Sequence, residues 1–199
     1  MAEVIHLSFS IGPVQGFVAQ ARRTRDLWGG SWLLSYLAEG ALVAAEMVGG
    51  EAIIPHRPQP RVVISTKTAV GGIPNRFEVR FDEIDAQEQA ERAGKACEEA
   101  FRQAWLKVAD AVWEKFVAPV ASYGSDTRVI WDRQVGSFWE LSWVVGEPDD
   151  DSSTIGRLAA MRKNFRQVAV ADEAGTKCSL ISTLQEISGH SGRGQWDSQ

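Results

Sequence analysis

Residues 9 to 35 read Phe-Ser-Ile-Gly-Pro-Val-Gln-Gly-Phe-Val-Ala-Gln-Ala-Arg-Arg-Thr-Arg-Asp-Leu-Trp-Gly-Gly-Ser-Trp-Leu-Leu-Ser, and they leave the chain few choices of fold. Ile5, Leu7, Phe9 and Ile11 alternate with His6, Ser8 and Ser10, the period of a half-buried strand. Gly12 ends the run, and Pro13 with Ser10 upstream suits a helix start whose apolar stripe is Val14, Phe17, Val18 and Ala21. A strand delivered into a helix N-terminus leaves several backbone N–H groups pointing at one spot, and such a spot attracts phosphate. Gly12 permits close approach of a ligand, and Gln15 adds a side-chain donor. Helix-end electrostatics are worth about 0.3–1 kcal/mol each, so the turn assists nucleotide binding without supplying it alone. The same spacing also serves an ordinary strand-to-helix turn. Arg22, Arg23 and Arg25 lie close to Asp26, with Arg22 and Asp26 at i, i+4; they read either as a solvated helix face or as a contact to phosphate or to an acidic partner.

Downstream, Gly29-Gly30 breaks the pattern, and Leu34, Leu37, Ala41, Ala44, Ala45 and Val48 recur at helical spacing as a second helix or a continuation of the first. Pro55, Pro58 and Pro60 lead into a β-branched strand at Arg61 to Ser65. After the turn cluster Gly71 to Asn75, the alternating run Arg76 to Phe81 completes a hairpin with it. Residues 85 to 118 carry the longest helical pattern, with Ala90, Cys97, Phe101, Trp105, Val108, Val112 and Phe116 on one stripe, ended by Pro119. Phe138 to Val145 alternates again, placing Trp139, Leu141, Trp143 and Val145 on one face of a further strand. The acidic run Asp149 to Asp151 leads to a short basic helix around Ile155 to Phe165, and beyond Val170 the pattern dissolves into glycine, serine and polar residues. Strand, helix, strand, strand, helix, strand is the βαββαβ arrangement of an α+β, ferredoxin-like domain, here with extra helices and an irregular C-terminal segment. The expected division is 1–147 for that domain and 148–199 for a linker, the basic helix and a terminal segment. The expected chain is a fragment or a naturally shortened protein.

Charge and composition narrow the function. A formal charge of −5 argues against gripping nucleic acid by bulk electrostatics. No apolar run approaches a membrane span of roughly 20 residues, and no signal-peptide pattern opens the chain, so the expected location is cytoplasmic. Two cysteines, Cys97 and Cys178, make no disulfide framework and are expected to be reduced. Eight tryptophans supply contact area for a core or for partners; Trp28, Trp32, Trp131 and Trp196 read as lying in turns or segment ends. The Gly-Gly pairs at 29-30, 49-50 and 71-72 are not followed by acid pairs, and none of His6, His56 and His190 precedes an aspartate. Asp149 to Asp151 reads as a solvated loop more readily than as a Mg²⁺ site. Cys178 and His190 supply two zinc ligands where about four are needed.

Five ordered stretches carry a resemblance: Ser10 to Ser35, Ile73 to Phe77, Phe138 to Trp143, Arg162 to Arg166, and Lys177-Cys178-Ser179-Leu180. Together they resemble the large subunit of type III CRISPR effector complexes, most nearly the Cmr (III-B) branch. The resemblance implies that the chain corresponds to the first Palm domain, a ferredoxin-like relative of polymerases and cyclases. In that family ATP binds between two Palm domains, and the second carries a Gly-Gly-Asp-Asp turn that holds metal ions and makes cyclic oligoadenylate when guide RNA pairs with target RNA. The partners implied are the other subunits of the ribonucleoprotein and, through the complex, guide and target RNA in antiviral defence. Carried over by position, the candidate nucleotide-binding residues are Ser10, Ile11, Gly12, Pro13, Gln15, Arg22 and Arg23. The chain lacks a His-Asp nuclease domain and the second Palm's acid pair, which implies no catalysis by the chain alone and ATP with Mg²⁺ bound only together with a second Palm. Ile181 stands where the family's Cys-x-x-Cys has its second cysteine, so Cys178 is a weak zinc candidate in a degenerate zinc-module-like segment. A purely structural subunit and a stand-alone nucleotide cyclase are the alternatives.

Overall fold

A computed structural model describes residues 4–56, 72–147 and 173–190. Contacts divide the chain into two compact units, Met1–Trp105 with Glu140–Phe165, and Leu106–Trp139 with Arg166–Gln199.

The first unit is an α+β layer. Strand β1 (Ile5–Gly12) is followed by a one-turn helix α1 (Val14–Val18), a long helix α2 (Thr24–Met47), strands β2 (Glu51–Ile54) and β3 (Arg76–Phe81), helix α3 (Ala86–Val112) and finally β4 (Glu140–Gly146). The sheet order is β2-β3-β1-β4, and every pairing is antiparallel. Alternation in β1 sets which residues face the helices: Phe9 lies opposite Phe77 and Trp143, and Leu7 opposite Val79 and Val145. Phe9 and Phe77 stack with ring centroids 5.0 Å apart. Leu7, Phe9, Ile11, Phe77 and Val79 are fully buried, as are Leu37, Ala41, Leu42 and Ala45 of α2 and Ala90, Ala93, Cys97 and Phe101 of α3. Each large side chain so buried contributes about 1.5–3 kcal/mol. The stripe Trp139, Leu141, Trp143, Val145 does share one face, since Leu141, Trp143 and Val145 pair with Ile11, Phe9 and Leu7.

Small residues fix the close approaches. A Cβ on Gly94 of α3 would stand 2.6 Å from the Trp143 indole, and one on Gly50 would stand 2.3 Å from Val79 Cγ1. Gly49, at φ +105°, closes α2, and the Gly50 N–H donates back to Ala45 O at 3.1 Å.

Three expectations change. Helix α2 runs unbroken through Gly29-Gly30 from Thr24 to Met47, because its buried face of Leu34, Leu37, Ala38, Ala41 and Leu42 outweighs the roughly 1 kcal/mol that each glycine costs a helix. Trp28 and Trp32 therefore sit inside a helix, not at a turn. Arg22 and Arg23 precede α2, so Arg22 and Asp26 are not a helical i, i+4 pair; Asp26 accepts from the Arg23 backbone N–H at 3.2 Å and lies 3.6 Å from Arg25 Nε. The partner of β3 on its outer side is β2, with Glu51 opposite Arg80 and their side chains ion-paired at 2.5 Å. The strand read at Arg61 to Ser65, the acidic run, the basic helix near Ile155 and Trp196 lie outside the described residues.

In the second unit α3 finishes in a π turn (Trp113–Val117), a 3₁₀ turn follows (Ala121–Tyr123), and α4 (Thr127–Ser137) leads on. The π turn corrects the helical stripe. Its wide loop, with the Ala118 N–H reaching Trp113 O at 2.8 Å, inserts a residue and shifts the register by one, so Val117 is buried and Phe116 is 62% exposed. Trp131 lies within α4, its ring 5.8 Å from that of Trp113, over which the Arg128 guanidinium stands at 4.6 Å. Residues 173–190 fold back on themselves through a bridge between Lys177 and Gln185 and attach to α4 through Glu173. That carboxylate accepts from Arg133 Nε, Gln134 Nε2 and the Gln185 N–H at 2.8, 2.8 and 2.6 Å.

Candidate functional site at the end of β1

The sequence motifs that are far apart in the chain meet at the C-terminal end of β1. The Ile11 N–H donates to Asn75 O at 2.8 Å, and Asn75 Nδ2 donates back to Ile11 O at 3.4 Å. The loop carrying Asn75 is itself held by α2, because the Ile73 N–H donates to the buried Ser35 hydroxyl at 2.8 Å. On the other side Gly12 pairs with Glu140, the first residue of β4. The turn is thus clamped from three elements.

The predicted residues occupy different layers of this arrangement. Ser10 is buried on the polar face of the sheet, opposite Arg76 on β3 and Ser142 on β4. Ile11 is fully buried on the helix face, with its N–H committed to Asn75, so its part is to position the turn. Gly12 is buried without left-handed backbone, and a Cβ there would meet Glu140 O and Oε2 at 3.9 Å, an ordinary contact. The fold does not itself demand a glycine at this position. Pro13 is the N-cap of α1, not its first residue, and makes no side-chain cap; the Gly12-Pro13 peptide bond is cis. Gln15, Arg22 and Arg23 are exposed.

Beside the turn lies a shallow apolar cleft of about 390 Å³, bounded by Val18 of α1 and by Thr24, Leu27, Trp28 and Ser31 of α2. Leu27 and Trp28 are 46% and 55% exposed. Thr24 and Ser31 bring two hydroxyls to the lining of this open, otherwise apolar cleft. As a unit it is not legible in the sequence, since Val18 comes from a different helix, although four of its five residues stand within eight positions.

No three His, Cys, Asp or Glu side chains converge as a metal site among the described residues. Cys178 accepts the Leu180 N–H at 3.4 Å, and the His190 ring meets Tyr123 O at 2.5 Å. Burial pushes the Cys97 thiol up to about 12, and its Sγ lies 3.2 Å from Ala41 O. No described helix is long and apolar enough to cross a membrane.

The fold defines the class, an α+β protein built on a four-stranded antiparallel sheet. The model of the family described as CRISPR-associated protein Cmr2, N-terminal, matches residues 6–110, more than half of the chain, and the chain belongs to that family. It is accordingly a subunit of a type III-B CRISPR effector, the multi-subunit Cmr complex. No curated protein matches the chain.

Proposed function

We propose that this chain is the Palm-type, nucleotide-contacting and scaffolding part of the Cmr large subunit, forming one wall of an ATP site that a second Palm completes. The strand order β2-β3-β1-β4, all antiparallel with helical crossovers, supports the ferredoxin-like Palm reading. The observation that carries the nucleotide reading is the cleft of Val18, Thr24, Leu27, Trp28 and Ser31 beside the Gly12–Gln15 turn. Adenine lies against Trp28 with Thr24 and Ser31 at its edge, and the phosphates run toward the bare backbone at Gly12 with Arg22 and Arg23 nearby. The Glu140 carboxylate, 3.9 Å from where a Gly12 Cβ would sit, disfavours a bare phosphate and favours one that carries a divalent cation. The remaining carboxylates come from the second Palm, and conversion of ATP to cyclic oligoadenylate takes place only in the joined pair. Guide and target RNA reach the chain through the assembled complex.

Calorimetric titration of ATP with Mg²⁺, onto the chain alone and with a second Palm supplied, tests this. Binding that strengthens when the second Palm is present, and weakens about tenfold (~1.4 kcal/mol) in Trp28→Ala, is the expected result. Absence of binding in both arms with the fold intact removes the nucleotide role. One observation favours a second, purely structural reading: the Ile11 N–H is already used by Asn75 and α1 is a single turn, which leaves few free amides at the turn. On that reading Gly12→Arg leaves assembly of the complex unchanged and no nucleotide binds.

A further inference from the structure

Residues Arg25, Gly29, Trp32 and Tyr36 of α2 recur at i, i+4, i+7 and i+11, the spacing of a helix–helix seam, yet this stripe points away from the buried face of the helix. Trp32 and Tyr36 stack with centroids 5.5 Å apart and planes within 6°, Tyr36 is 38% exposed, and the Arg25 side chain is 75% exposed. Gly29 is the telling residue. A glycine in mid-helix costs about 1 kcal/mol relative to alanine, and Gly30 has a reason for it, since a Cβ there would press on the Phe17 ring at 3.3 Å. A Cβ on Gly29 would meet nothing within 4 Å. Among the described residues, nothing uses the missing side chain.

We propose that this stripe docks an amphipathic helix from another subunit of the complex, aliphatic where it crosses Gly29 and the Trp32–Tyr36 stack and acidic opposite Arg25. The inference rests on the reading that the chain works inside the Cmr complex. A small residue at the crossing point lets two helix backbones approach, and Trp, Tyr and Arg are the residue types that dominate interface energetics. Arg22, Arg23 and Arg25 against Asp26 make this end of α2 locally basic in a chain of net charge −5, which complements an acidic polypeptide. A polynucleotide fits less well, because the aromatic pair is already closed at 5.5 Å and offers no slot for a base. Leu27 and Trp28, 46% and 55% exposed, lie at the margin of the stripe and extend the exposed apolar surface.

The experiment measures binding of the full chain to each remaining purified subunit of its complex, for wild type, Gly29→Gln, Tyr36→Ala and Arg25→Glu. Glutamine is the better helix former, so Gly29→Gln is expected to raise the melting midpoint while weakening binding to one subunit at least tenfold. Tyr36→Ala is expected to weaken the same subunit, and Arg25→Glu to weaken it and flatten its salt dependence. Gly29→Gln and Tyr36→Ala binding within twofold of wild type, or no subunit binding wild type, overturns the proposal. So does a 20-nucleotide single-stranded RNA that binds wild type and loses affinity for both variants. An ATP titration on the same Gly29→Gln sample separates failure of this inference from failure of the nucleotide reading.

Discussion

At Gly12 the backbone is not left-handed, and a Cβ would make only ordinary contacts with Glu140. Gly12→Ala is therefore expected to change stability by less than about 1 kcal/mol in urea unfolding, while ATP affinity falls if the bare backbone meets phosphate. Glu173 answers to pH. Burial pushes its carboxyl up, but the Arg133 guanidinium, the Gln185 N–H and the Gln134 amide together outweigh burial and hold it below the usual carboxylate range. A lowered folded value means stabilisation that is complete above the unfolded value of about 4.3 and is lost as pH falls through the folded value. Amide exchange in residues 173–190 is expected to stay protected from neutral pH down through the ordinary carboxylate range and to rise only at pH below it. Arg133→Ala should raise it at neutral pH as well. The thiols differ in the same way: Cys97, buried and held near 12, is expected to react with a thiol reagent only on unfolding, and Cys178, half-buried, in the native protein.

Among the elements, two glycines, Gly29 inside α2 and Gly50 just beyond its end, have opposite expectations. Gly29→Ala should stabilise the chain by up to about 1 kcal/mol, because the added methyl meets nothing and the helix gains propensity. Gly50→Ala should cost roughly 2 kcal/mol or more, since its methyl would be driven into Val79 and Phe81. Thermal and urea unfolding of the two variants read both signs. These cases also show which elements could be read from sequence. Strand β1 was plain from strict alternation, β3 and β4 likewise, and α3 from its long apolar stripe. At Gly29-Gly30 the sequence leaves a second helix or a continuation open, because local propensity says nothing of the core waiting for Leu34 to Ala45. Strand β2 is four residues long before a proline, and α4 has an apolar face of only Thr127 and Ile130, so neither announced itself.

For the molecule as a whole, the succession strand, helix, strand, strand, helix, strand is legible in the sequence, but the partner of β3 is not, since β2 at Glu51–Ile54 takes that edge. The turn at the end of β1 was legible as a place; how it is held was not. Asn75 and Ser35 reach it from 64 and 38 residues' separation along their hydrogen bonds, distances that periodicity does not span. Asn75→Ala is expected to cost about 1 kcal/mol, and Ser35→Ala about 1–3 because it strands a buried N–H. If the clamp positions the site, both variants weaken ATP binding more than their stability loss accounts for, a difference calorimetry at a temperature well below both midpoints resolves.

The wide turn at Trp113–Val117 has the same effect as an added tooth on a gear. Everything that follows within its unit, including the Trp131 ring and the Arg128 guanidinium that stands over Trp113, is phased about 100° from where an uninterrupted α-helix would carry it. Straightening the turn into an α-helix with every residue kept would swing the benzyl group of Phe116 toward a seat sized for the isopropyl of Val117, whereas excising Lys115 would take up the extra residue and leave Val117 seated. One widened turn thus sets the phase of a whole subassembly.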